Sequence, residues 1–138
     1  IALLAGSISG IISAAGLALL LNASKEVVIS LAPKSVTAPI AMGICEKLGG
    51  IPSLTAGIVV ATGILGAVIG HLFLKFIRVT SPTAFGLAMG AASHGIGTAR
   101  AFEEGNAQGA MSGLAMCMNG VFTAVLTPLI LKFVFRII

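Results

Sequence analysis

LAMGAASHGIGTARAFEEGNAQGA, residues 87–110, is a polar, glycine-rich stretch between two long apolar runs, 54–74 and 111–131. Ser93, His94, Gly95, Gly97, Thr98 and Arg100 fall inside it. Its surroundings decide how it is read. The chain is 57% hydrophobic and 9% charged, with a mean hydropathy of +1.13. Soluble domains carry about 25% charged residues, so this composition cannot cover a soluble surface. At membrane depth, irregular backbone and ionisable side chains are tolerated where they are buried in protein or line a wet cavity. The stretch is therefore a candidate site within an all-α integral membrane protein.

The apolar runs are too continuous for barrel strands, which alternate over about ten residues. The 18 glycines suit closely approaching membrane helices. These features predict a polytopic helical bundle with about five crossings: Ile1–Leu21, Glu26–Leu48, Ser53–Ile77, Ser81–Ala101 and Met111–Phe135. Asn22–Ser24 supplies a turn and cap, and Gly49-Gly50-Ile51-Pro52 a second turn. Two crossings are expected to be discontinuous. Pro33 and Pro39 flank KSVTA in the second, and SHGIGT interrupts the fourth.

Charge placement supports two through-going broken helices. If the chain starts on side A, five crossings put Lys25, Lys75, Arg78, Lys132 and Arg136 on side B with Glu26. Lys47, Glu46, Glu103 and Glu104 fall on side A. That bias predicts a cytoplasmic side B; a re-entrant hairpin would destroy it. SVTAPIAMG (35–43) also echoes SPTAFGLAMG (81–90) with one gap, and both are expected to open crossings in the same direction. Paired interrupted helices are a sequence pointer to a transporter site.

Lys34 lies about 12 Å into the second crossing at 1.5 Å per residue. It is either a lysine reaching the interface or a cation facing an anionic substrate, with Ser35 and Thr37 beside it. Arg100 is either paired locally with Glu103 or Glu104, or a bidentate partner for a carboxylate. Ser93, His94, Gly95, Gly97 and Thr98 would complete an anion cradle with the exposed N–H groups of a broken helix. His94 is a structural residue or a proton carrier; His71 reads as structural. No acidic residue lies within a span to neutralise Lys34 or Arg100, which makes an anionic substrate the simplest partner.

Enzymatic readings fail. Ser93 and His94 are neighbours pointing about 100° apart on a helix, no metal-ligand cluster or HExxH occurs, and GIGTAR comes after no strand. Cys45 and Cys117 read as buried structural thiols. No catalytic residue, metal or cofactor is expected. The net charge of +4 lies at span ends, which argues against nucleic acid and for a lipid bilayer partner. The chain opens on Ile1 within an apolar run, without an initiator Met, which predicts that an N-terminal part is missing.

LAPKSVTAPIAMG (31–43), GGIP (49–52), GILGAVIGH (63–71) and FGLAMGAASHGIGTARAFE (85–103) together resemble the LrgB/CidB/YohK family of bacterial inner-membrane proteins. The likeness runs through the chain in order. It departs at Phe85, where the family is expected to hold a basic residue. The resemblance implies that residues 1–138 are the C-terminal part of one multi-pass LrgB-like transmembrane domain. It implies modulation of murein hydrolase export and autolysis, with an LrgA-type holin-like membrane partner. Through a relative resembling the plastid glycolate/glycerate translocator, it also implies transport of small monocarboxylates such as pyruvate or glycolate. The alternative is a holin- or antiholin-like modulator without carrier activity. Oligomeric state is left open.

Overall fold

The computed structural model describes residues 1–137, with side chains through Phe135; the Arg136 side chain lies outside the described residues. Every regular element described is helical. The first is α1 (Ala2–Leu20), and it leads into α2 (Lys25–Leu31) and α3 (Ala38–Leu48). Then come α4 (Pro52–Phe76), α5 (Pro82–Glu104) and α6 (Asn106–Ile137). The sequence signals work locally. Pro52 and Pro82 open helices, where a missing N–H is harmless, and Ser81 Oγ accepts from the Ala84 amide at 3.4 Å. Gly49 ends α3 at φ 82°, the left-handed conformation that glycine adopts without strain.

Only α1, α4 and α6, among the described residues, are long and apolar enough to cross a membrane. The two broken segments double back instead of crossing, which corrects the expectation of five crossings. With 7 and 11 residues, α2 and α3 reach about 10 and 16 Å at 1.5 Å per residue, against a hydrocarbon core of about 30 Å. The outer end of α3 returns alongside α2. Cys45 Sγ lies 3.6 Å from Ser30 Oγ, Ile51 donates its amide to the same oxygen at 2.8 Å, and Leu48 joins the cluster of Val28, Ile29 and Leu131.

The reversal in α5 is equally clear. His94 sits at φ 42°, ψ −132°, between two helical arms. A Cβ at Gly97 would meet Ser93 Cβ at 2.5 Å and Met89 O at 2.8 Å, so the returning arm lies on the entering one. Gly90 and Thr98 both abut Ser112 of α6. Gly86 borders Gln108, and Phe102 borders Gly109. Phe85, Met89 and Ala101 share one core cluster with Leu74 of α4.

A hairpin leading into a span thus occurs twice, in opposite senses. The first hairpin (α2–α3) enters from the side where α1 ends and precedes α4; the second (α5) enters from the side where α1 starts and precedes α6. The repeat is inverted, in the manner of many transporter folds. The echo of 35–43 in 81–90 does not mark it, because it sets a tip and returning arm against an entering arm. The charge tally also changes. Lys25, Lys47, Lys132 and Arg136 share one side, while Lys75, Arg78 and Arg100 share the other. Four against three no longer fixes orientation.

Impermeant-maleimide labelling separates the two topologies. In full-length protein lacking Cys45 and Cys117, Arg78→Cys and Asn106→Cys are expected to react from one side and Lys47→Cys from the other. Five crossings would instead put Lys47→Cys and Asn106→Cys together, with Arg78→Cys opposite.

Candidate functional site at the hairpin tips

Asn119 lies near the middle of α6, 1% exposed. Its Nδ2 donates to Ser35 O at 2.9 Å and to Ala91 O at 3.0 Å. Its Oδ1 accepts from Ser7 Oγ at 2.5 Å. One carboxamide therefore joins α1, the tip of the first hairpin and the second hairpin close to its tip. Both N–H donors and one of the two acceptor sites of the amide are used. The sequence reading missed this residue. Its signal was available: an amide followed by glycine in the middle of an apolar crossing, where polar groups are functional by default.

The tip of the first hairpin holds Lys34, Ser35 and Thr37. Lys34 is half-buried, and its Nζ lies 3.3 Å from Ser35 Oγ. No carboxylate pairs with it among the described residues. Thr37 precedes α3 in extended conformation, without a side-chain cap bond. A cavity of about 500 Å³ opens beside Lys34 and Ser35, bordered by Gly6 and Gly10 of α1 and by Ala88 and Ala91 of the second hairpin. Its size lies within the 300–1,000 Å³ of ligand sites. Asn119 stands behind this wall, because both carbonyls that it holds belong to cavity-lining residues.

The second tip is built for packing. The His94 Nε2 lies 3.0 Å from Val59 O of α4. A carbonyl only accepts, so Nε2 carries the hydrogen. Thr98 Oγ1 donates to His94 O at 2.8 Å, and the Thr98 and Ser112 hydroxyls lie 2.9 Å apart. These bonds hold His94 at a φ that non-glycine residues seldom adopt. Ser93 packs on Gly66, where a Cβ would collide with its Oγ. Gly66 begins a π-helical turn of α4, Gly66–Gly70, and such turns recur where helices are shaped around sites.

The two glycines of SHGIGT differ. Gly97 is buried between the arms, whereas Gly95 is exposed, its nearest neighbour for a Cβ being Met116 Sδ at 3.9 Å. Gly97→Ala is expected to destabilise by about 1–3 kcal/mol through overpacking, while Gly95→Ala is expected to be neutral or slightly stabilising. Thermal unfolding in detergent of the two variants checks this. Equal midpoints would refute the close apposition of the arms.

Arg100 is not brought to Lys34. It sits near the outer end of the returning arm, where Nη1 meets Glu103 Oε2 at 2.6 Å and Nη2 meets Glu104 Oε1 at 2.9 Å. Glu104 also lies 3.4 Å from Lys75 Nζ and 2.9 Å from His71 Nδ1. The last contact lacks hydrogen-bond alignment, so Nδ1 is left without a bond. Of the two readings of Arg100, local pairing with Glu103 and Glu104 is the one the structure shows. The doubled-back arm brings its end to α4 and makes a rim network there.

The chain matches the family model described as the LrgB-like family over residues 1–133. The uncharacterized protein YwbG of Bacillus subtilis is 38% identical over 128 residues, 93% of this chain and 57% of that protein. The holin-like protein CidB of Staphylococcus aureus is 37% identical over 108 residues, 78% of this chain and 47% of its own length. The antiholin-like protein LrgB of Bacillus cereus is 36% identical over 133 residues, 96% of this chain and 58% of its own. The chain spans about half the length of the curated relatives it matches. No solved structure matches it.

Proposed function

The chain belongs to the LrgB-like family, and we propose that it forms the substrate-handling part of a carrier for small monocarboxylates of the pyruvate and glycolate class. The carrier would lie in a bacterial inner membrane and work with an LrgA-type partner. One observation supports this above the others. Two hairpins entering from opposite sides are tied together through Asn119 at mid-depth, beside a cavity lined by a lysine with no ion-pair partner among the described residues. An unpaired cation is costly inside a membrane, and a carboxylate is its natural complement. The small walls, Gly6, Gly10, Ala88 and Ala91, suit a ligand of a few heavy atoms. The opposed hairpins supply one gate towards each side, as alternating access requires.

A second reading is favoured by the names holin-like and antiholin-like among the relatives. On it, the protein modulates murein hydrolase export and autolysis, without carrying a substrate. Uptake of labelled pyruvate, glycolate and lactate into proteoliposomes separates the two. The full-length protein, with and without an LrgA-type partner, is expected to give saturable uptake, accelerated by the same acid on the far side. Non-saturable passage of acid and glycerol alike would refute the carrier and favour the pore-forming class.

A further inference from the structure

Away from the tips, three lysines gather where both arms of the first hairpin approach the end of α6. One apolar groove of about 480 Å³ has Lys25 and Lys132 with Ile29 and Leu131 in its wall. A neighbouring groove of about 330 Å³ runs from Lys47 past Ile44 to Ile40, with Ala124 opposite. Leu48 and Pro128 line both, forming the ridge between them. Lys25 is held over the Phe135 ring, its Nζ 5.0 Å from the centroid. Glu26 and Glu46 stand on the same side, yet none of the three lysines forms an ion pair with a described residue.

Lysines at span ends are ordinary membrane topology. Here they stand at the mouths of two grooves that descend side by side. The grooves run into the bilayer, where water and soluble ligands are excluded. Their walls are aliphatic, and their mouths are cationic. We propose that this is a binding site for one anionic diacyl phospholipid, its phosphate among Lys25, Lys47 and Lys132 and its two chains straddling the Leu48–Pro128 ridge. The lipid would brace the first hairpin against α6, on the side remote from the cavity. This goes beyond transport and is independent of whether a carboxylate is carried.

Native mass spectrometry of the full-length protein, released from micelles containing phosphatidylglycerol or phosphatidylcholine, tests the site. Phosphatidylglycerol is expected to be retained at least tenfold over phosphatidylcholine. Replacing each lysine by glutamine should weaken it about fivefold, and all three about a hundredfold, at the usual worth of juxtamembrane lysines. Ala124→Phe fills the second groove from an exposed position, keeps every lysine, and should also expel the lipid. Equal retention of the two lipids overturns the proposal, as does retention by the lysine-free variant. If Ala124→Phe has no effect, the lysines attract the membrane surface only loosely and the site is refuted. Displacement by millimolar inorganic phosphate would make it a soluble-anion site, and absence of bound lipid because another segment of the full chain fills the grooves would overturn it likewise.

Discussion

Asn119→Leu is expected to abolish substrate uptake and to let the two hairpin tips drift apart. Leucine nearly matches the shape of asparagine but supplies no donor. The substitution leaves the carbonyls of Ser35 and Ala91 without their Asn119 donors, while the Ser7 hydroxyl keeps Leu3 O at 2.9 Å. Each carbonyl left unsatisfied costs about 1–3 kcal/mol. The tips recover that energy by moving towards other donors, and the cavity wall moves with them. Spin labels at Thr37→Cys and Ala92→Cys read this directly. A narrow distance distribution in the parent is expected to become broad or double in Asn119→Leu. Asn119→Asp, which keeps the shape and loses both donors when ionised, should do the same if the leucine variant fails to insert. An unchanged distribution would show that the tips are held by packing alone. Because the distance needs no transport, this outcome is distinct from a failure of the carrier reading.

The class of the molecule was legible because composition alone excludes a soluble surface. The breaks were legible too, since Pro33, Pro39 and the glycines of SHGIGT each disfavour continuous helix. The direction the chain takes after a break was not. Proline and glycine announce a discontinuity without stating its angle, so crossing and doubling back share one local signature. The choice is made in three dimensions, where Gly66, Gly86, Gly90 and Gly97 allow arms and spans to approach closely. Positive-inside counting misled the reading, because the through-going topology gives a strong one-sided bias, whereas reversing both broken segments leaves four basic residues against three. The same error hid the rim network. Pairing of Arg100 with Glu103 or Glu104 was legible, but five crossings put Lys75 on the side opposite Glu104, whereas a returning arm brings Glu104 within reach of His71 and Lys75. Of the expected site residues, Lys34 and Ser35 line the cavity, Ser93, His94, Gly97 and Thr98 build the second hairpin, and Arg100 belongs to its rim.

Lys34→Gln is expected to remove monocarboxylate uptake altogether, while Arg100→Gln leaves it within about threefold of the parent. The two cations differ in what already neutralises them. Arg100 has a carboxylate on each side, at 2.6 and 2.9 Å, and rim pairs of this kind are worth about 0.2–1 kcal/mol. Its loss is a modest matter of stability. Lys34 has only the Ser35 hydroxyl, at 3.3 Å, and a membrane-centre lysine costs at least ~2.5 kcal/mol on insertion scales. Removing that charge should therefore leave the protein as stable as the parent or more so, while the substrate loses its counter-charge. Stability held or raised together with transport lost is the signature of a residue kept for function. Lys34→Arg, which preserves the charge on a bulkier and planar head, should keep partial uptake with a raised apparent KM. Thermal unfolding and initial uptake rates on the same preparations supply both readouts. Normal uptake by Lys34→Gln with loss in Arg100→Gln would move the anion site from the hairpin tips to the rim beside α4, where His71 would then become the residue to examine.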